Sequence, residues 1–146
     1  MQPCSSLPCP TQPAWTQIVG TPAFFANANS ASVADGSVFT AGELPSQIVR
    51  LGQTDGSLKA ISPILDGLHY NPVSTANGVV YSGDSTASLR ALDASTGLPL
   101  FVRNANQDVS GGALIAGDSG NSAGVAIARH KIYWAVSSLI LVYQLP

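Results

Sequence analysis

Two stretches of the chain repeat one another at an offset of 42 residues, Ser32-Val33-Ala34-Asp35-Gly36-Ser37-Val38-Phe39-Thr40 and Ser74-Thr75-Ala76-Asn77-Gly78-Val79-Val80-Tyr81-Ser82. Each holds a short run, an Asp-Gly or Asn-Gly pair, and a second apolar run. Such pairs accept the positive φ that a two-residue hairpin turn demands, so Asp35-Gly36 and Asn77-Gly78 each read as a hairpin tip. The likeness continues in Arg50-Leu51-Gly52-Gln53-Thr54-Asp55-Gly56, which aligns with Ala91-Leu92-Asp93-Ala94-Ser95-Thr96-Gly97 at an offset of 41. The one-residue difference falls in the loop between second and third strands. A divergent third copy runs from Ala126 to Trp134 with Arg129-His130 in its turn, and Leu141 to Leu145 supplies its next strand. It lies 52 residues beyond the second copy, and the excess sits between Gly111 and Gly124.

A period near 40 residues with four strands per unit predicts an all-β chain of four-stranded antiparallel blades, a β-propeller. β-helices repeat at shorter periods, and a sandwich does not repeat itself. The whole chain, 1–146, reads as a single partial propeller domain. A Cys loop and a lone outer strand (Trp15 to Val19) fill 1–19, blades occupy 20–66 and 67–106, and an incomplete last blade fills 107–146. Strands are expected over about 28–61, 70–102 and 123–143, twelve in all with the outer one, or about three blades' worth. Propellers usually close with roughly four to eight blades. The expectation is therefore an open arc or part of a larger ring, with a C-terminal fragment preferred over copies that assemble.

The second copy resembles the repeat of the pyrroloquinoline-quinone (PQQ) enzymes, the quinoprotein alcohol dehydrogenase-like propellers. The resemblance rests on Ala76-Asn77-Gly78-Val79-Val80-Tyr81-Ser82-Gly83-Asp84, followed by Leu89-Arg90-Ala91-Leu92-Asp93-Ala94-Ser95-Thr96-Gly97-Leu98-Pro99-Leu100-Phe101. It is strong in this copy, weaker in the first and weakest in the last. It implies structural roles for Asp35, Gly36, Asn77, Gly78, Ala91, Asp93, Thr96 and Gly97. It also implies a blade-docking role at Phe101, where the family carries Trp; Ala60 holds that place in the first copy. The opening Cys4, Cys9 and Trp15 are similar to the start of secreted multi-repeat members.

Charged residues make up only 10% of the chain, its net charge is −2, and its six Lys and Arg are scattered. No basic stripe follows a phosphate backbone, which argues against nucleic acid as a partner. Positive mean hydropathy argues against disorder. No apolar run approaches the roughly 18 residues of a membrane span. Cys4 and Cys9 are too few for a structural zinc site and lack Cys-x-x-Cys spacing. A small disulfide between them is the preferred reading and implies an oxidising compartment; the alternative is two reduced thiols.

Catalytic chemistry is poorly represented. The family's PQQ and Ca²⁺ site has no residue-by-residue match, and the single Glu, Glu43, sits in a loop with Leu44-Pro45. Gly117-Asp118-Ser119-Gly120 looks like the setting of a serine nucleophile. That chemistry needs a His and an Asp in register with it, and neither His69 nor His130 has the sequence context. The same loop through Asn121 and Ser122 offers oxygen ligands but no second carboxylate for Ca²⁺. His69 precedes an innermost strand, where a lone His usually serves as a hydrogen-bonded structural group; His130 belongs to an exposed turn. No catalytic, cofactor-binding or metal residues are assigned.

The sequence predicts a non-catalytic, extracytoplasmic scaffold that binds a protein or surface polymer through its loops. No cofactor is expected. The alternative is the C-terminal part of a PQQ-dependent dehydrogenase, taking PQQ with Ca²⁺, whose catalytic groups lie elsewhere. Open blade faces around Phe24, Phe25 and Leu139 to Tyr143 predict self-association.

Overall fold

The computed structural model describes residues 13–20, 30–42, 44–69, 71–109, 122–136 and 139–145, with the side chains of 122 and 123 left aside. The first sheet comprises β1 (Ser32–Ala34), β2 (Ser37–Gly42), β3 (Gln47–Gly52) and β4 (Leu58–Ile61). The second comprises β5 (Ser74–Ala76), β6 (Val79–Gly83), β7 (Ser88–Asp93) and β8 (Pro99–Asn104). After a single helical turn, α1 (Ala105–Asp108), come β9 (Ser122–Ala128), β10 (Lys131–Val136) and β11 (Leu139–Gln144). Each sheet is a meander of sequential antiparallel strands, of four, four and three among the described residues. These are the blades of a partial propeller.

The hairpin tips follow from backbone preference. Asp35 and Gly36 take φ of 48° and 66°, Asn77 and Gly78 take 50° and 74°, and Arg129 and His130 take 50° and 59°. Only the third pair places long side chains in the left-handed region, where Asn, Asp and Gly are at less cost. Each tip then receives the same bond from the loop after its third strand: Gln53 N–H to Gly36 O, Ala94 N–H to Gly78 O and Leu145 N–H to His130 O, at 2.8–3.0 Å. The register agrees, since Ser37 pairs with Gly52, Val79 with Asp93 and Lys131 with Gln144.

The blades pack face to face. Phe39, Ala41 and Ile48 of the first sheet meet Val80 and Leu92 of the second, with Leu65 and Val73 from the connector. The second sheet's other face sends Tyr81, Leu89 and Ala91 against Val125, Ile132, Trp134 and Val136 of the third. Trp134 is fully buried and Tyr133 half-buried, as alternation along a strand requires.

Two features depart from the sequence reading. Residues 13–20 contain no strand. Trp15 instead donates its indole N–H to Gln53 O at 3.0 Å and lays its ring where a Cβ on Gly56 would sit. The Val19 carbonyl fills the same space at Gly42. A strand needs a free ladder edge, and this segment is held by a ring and a carbonyl instead. The second departure is α1, whose Asn104 side chain caps Asn106 N–H at 3.0 Å. Cys4, Cys9, Phe24, Phe25, Glu43 and Gly117-Asp118-Ser119-Gly120 lie outside the described residues.

Candidate functional site

Ser32 and Ser74 occupy equivalent places on the innermost strands. The Ser32 hydroxyl meets the Thr75 hydroxyl at 2.7 Å, and the Ser74 hydroxyl donates to Val125 O. Each serine therefore ties its inner strand to that of the following blade. The glycines after the third strands receive the segment that precedes their own blade. Gly56 (φ +67°) carries the Trp15 ring, and a Cβ on Gly97 (φ +74°) would lie 3.2 Å from the Ser62 backbone.

The loop between third and fourth strands is built around a carboxylate. Asp93 Oδ1 accepts from the N–H and hydroxyl of both Ser95 and Thr96 at 2.6–3.0 Å. The Ser95 and Thr96 hydrogen bonds lower its pKa to about 2. In the first blade the equivalent position is Gly52, and the space its side chain would fill holds the carboxylate of Asp55 instead. Asp55 Oδ1 accepts from Ser57 N–H and Oγ–H at 3.0 and 2.8 Å, and its pKa is lowered by those bonds. The backbone is the same in both: Gly56 N–H to Gly52 O and Gly97 N–H to Asp93 O. One carboxylate position is thus served from two places in the sequence.

The densest set of titratable groups lies where the 62–73 connector meets the β6–β7 turn. Asp84, fully buried, accepts from Thr86 N–H, Thr86 Oγ–H and Ser88 N–H through Oδ1, and from Arg90 Nε–H through Oδ2 at 3.0 Å. Arg90 also donates to Asp66 O at 3.2 Å and stands 3.7 Å from the Asp66 carboxylate. Leu68 and Ser85 exchange two bonds, and Asn104 donates to Thr86 O and Ser88 Oγ. The His69 ring lies beneath, its Nδ1 2.7 Å from Ser82 Oγ. Its Nε2 has no hydrogen-bond partner among the described residues. Desolvation lowers the imidazole pKa to about 4, against the opposing pull of Asp84.

A nucleophilic triad needs a carboxylate bonded to the imidazole; here the ring's Nδ1 faces Ser82 and its Nε2 has no partner among the described residues, so Asp84 does not orient it. His69 and Ser82 also both have 0% exposure. The arrangement locks the corner between connector, turn and helical turn. The sequence reading anticipated a hydrogen-bonded His69. It missed Ser82, Asp84, Ser88 and Arg90, whose residue types carry no signal until the connector folds onto the turn. It likewise missed Ser32 and Ser74. The other sequence-selected positions are dispersed: Asp35, Gly36, Asn77 and Gly78 are hairpin tips, while Asp93, Thr96 and Gly97 form the outer loop. Ala91 is buried between blades, and Phe101 is half-buried with its ring 6.5 Å from Tyr81.

A shallow groove of about 340 Å³ separates the first two hairpin tips, lined by Val33, Asp35, Thr75, Asn77 and Val79 among others. A second, of about 320 Å³, lies between β8 and β11, lined by Phe101, Arg103, Ile132, Tyr143 and Leu145 among others. The Tyr143 hydroxyl donates to Asp108 at 2.8 Å, and burial followed by that bond raises its pKa. Among the described residues no cluster of three His, Cys, Asp or Glu side chains offers a metal site, and no helix is long and apolar enough to cross a membrane.

Comparison with protein-family models gives no match, and neither does comparison with curated proteins. Solved structures do match. The computationally designed Ika8 protein superposes with a TM-score of 0.60 at 10% identity, over 79% of this chain and 32% of its own. BamB from Moraxella catarrhalis gives 0.56 at 15% identity, over 79% and 32%. The quinohemoprotein alcohol dehydrogenase ADHIIG from Pseudomonas putida HK5 gives 0.56 at 18%, over 80% and 18%. The chain thus spans about a third or less of the length of these three structures. Three antiparallel meanders packed face to face, with these neighbours, make the chain a β-propeller of the kind seen in BamB and the quinoprotein dehydrogenases, in partial form.

Proposed function

We propose that this chain is a non-catalytic propeller scaffold, working outside the cytoplasm, that binds another protein or a surface polymer. The observation that carries the reading is an apolar rim on the two complete blades. Leu58, Ile61 and Ile64 project from β4 and the connector, and Leu98, Leu100 and Val102 from β8 and its approach; all six are exposed. Exposed apolar side chains recurring on the last strand of each complete blade mark candidate interaction surfaces, whereas the densest titratable cluster is spent on holding a buried corner. The sparsely charged, Ser- and Thr-rich composition and the two cysteines support the extracytoplasmic part of the reading.

The test is affinity capture from envelope extracts of the source organism. A triple variant, Leu58→Glu, Leu100→Glu and Val102→Glu, should lose a protein or polymer that the unaltered chain retains. Equal retention by both chains counts against the rim.

A second reading, part of a PQQ-dependent dehydrogenase, is supported by the likeness to quinohemoprotein alcohol dehydrogenase. Reconstitution of the full-length protein with PQQ and Ca²⁺ separates the two. Dye-linked alcohol oxidation would replace the scaffold reading, and none is expected.

A further inference from the structure

The two complete blades carry the same row of residues across their second, third and fourth strands, filled in opposite ways. In the first blade the row is Phe39, Arg50 and Ala60; in the second it is Tyr81, Ala91 and Phe101. Phe101 reaches over the small Ala91 and brings its ring to 6.5 Å from that of Tyr81. In the first blade Arg50 sets its Cζ 6.0 Å from the centroid of the Phe39 ring, and the outer place falls to Ala60. Each row covers its inner aromatic once, but only the second puts a ring on its outer strand.

The consequence falls on the gap between β4 and β8. Ala60 shares the face of Phe39 that packs on the second blade. Val102 pairs with Arg90 and alternates with Phe101, so it is turned toward the first blade. It is nevertheless 47% exposed, because the outer strand opposite offers only Ala60 on that face. The arginines bordering the gap turn their heads away from it. Arg90 is drawn to Asp84 and Asp66. Arg50 donates Nε–H to Ser37 Oγ at 2.9 Å and Nη1–H to Ser95 O at 3.5 Å. It forms no ion pair among the described residues. The gap is left to methylene stems and to Ala60 and Val102, with a cation lacking a carboxylate at one end.

We propose that this gap is where the rim grips its partner, an inference that rests on the scaffold reading and narrows the partner to a protein. The partner inserts a large apolar side chain between Ala60 and Val102, in the place that Phe101 fills in the next row. From the same side of an extended segment it sets a carboxylate on the spare N–H groups of Arg50. An aromatic anchor in a pocket beside an arginine is the usual centre of a protein interface. A neutral polysaccharide offers neither group.

The probe is the peptide acetyl-Asp-Gly-Phe-Gly-Asp-amide, whose alternation puts ring and carboxylates on one side when extended. At millimolar concentration it should shift the methyl NMR signals of Ala60 and Val102 saturably. Versions with Lys for Asp, or Ala for Phe, should not. Arg50→Gln should weaken the Asp peptide by about tenfold. Ala60→Phe supplies the ring from the chain itself, so it should abolish the shifts at Val102 and leave the urea midpoint unchanged or higher. The proposal is overturned if the Asp-Phe peptide gives no saturable shift, or if Ala60→Phe loses stability, since the gap then has no room for a ring. Shifts of the same methyls by maltotetraose in place of the peptide overturn it too. If the peptide fails while the triple rim variant still loses its partner from the extract, the gap falls and the rim stands.

Discussion

At the scale of single residues, two glycines with the same φ make a controlled pair. Gly78 and Gly97 both sit at +74°, but a Cβ meets nothing within 4 Å at Gly78 and the Ser62 backbone at Gly97. Left-handed backbone costs an L-residue about 1–2 kcal/mol, so Gly78→Ala should lose about that much in urea unfolding. Gly97→Ala should lose clearly more, because the blades must separate to admit the methyl group. His69 makes a second case. Its folded pKa of about 4 lies below the ordinary imidazole value of 6.5, so the unfolded chain takes up a proton first as pH falls. Stability is full above about 6.5, declines between there and about 4, and changes no further from this source below that. A shift of that size corresponds to about 3 kcal/mol. NMR titration should find the His69 ring still neutral at pH 5; a charged ring at that pH would contradict the burial argument.

Among the elements, the three hairpins show what sequence can reveal. Asp35-Gly36 and Asn77-Gly78 announce their turns because few dipeptides tolerate two positive φ values. The Arg129-His130 turn was legible only by alignment with them. Replacing it by Asn-Gly should raise the unfolding free energy by about 1 kcal/mol, measured as a shift in urea midpoint without a change in slope. The run Trp15 to Val19 reads as a strand from composition alone, but pairing depends on a free edge elsewhere, and here a ring and a carbonyl hold the segment. Four residues of α1 are too few for a helical period. The polar corner was invisible for a related reason: His69 and Asp84 are 15 residues apart, and a connector of irregular shape brings them together. The carboxylate of Asp55, standing in for one at Gly52, shows that alignment by residue type misses an equivalence that space keeps.

For the molecule as a whole, packing is unequal. The second blade has a neighbour on either side, while the third presents Ile140 and Val142 outward. Opening free energies follow buried contact, so the amides of Val80, Tyr81, Leu89 and Leu92 should exchange slowest in a single copy and those of β11 much faster. Uniform exchange across the blades would refute that order. The serine ties carry a different consequence. Ser32 reaches a threonine hydroxyl of the second blade and Ser74 a backbone carbonyl of the third, so each junction runs from a serine to the blade that follows. A gene duplication of the second unit inserts a blade that again offers a backbone carbonyl to the serine before it and a serine to the blade after it. A crossover out of phase with the repeat breaks that order. Such a chain can change its number of blades by recombination more readily than it can change the design of one.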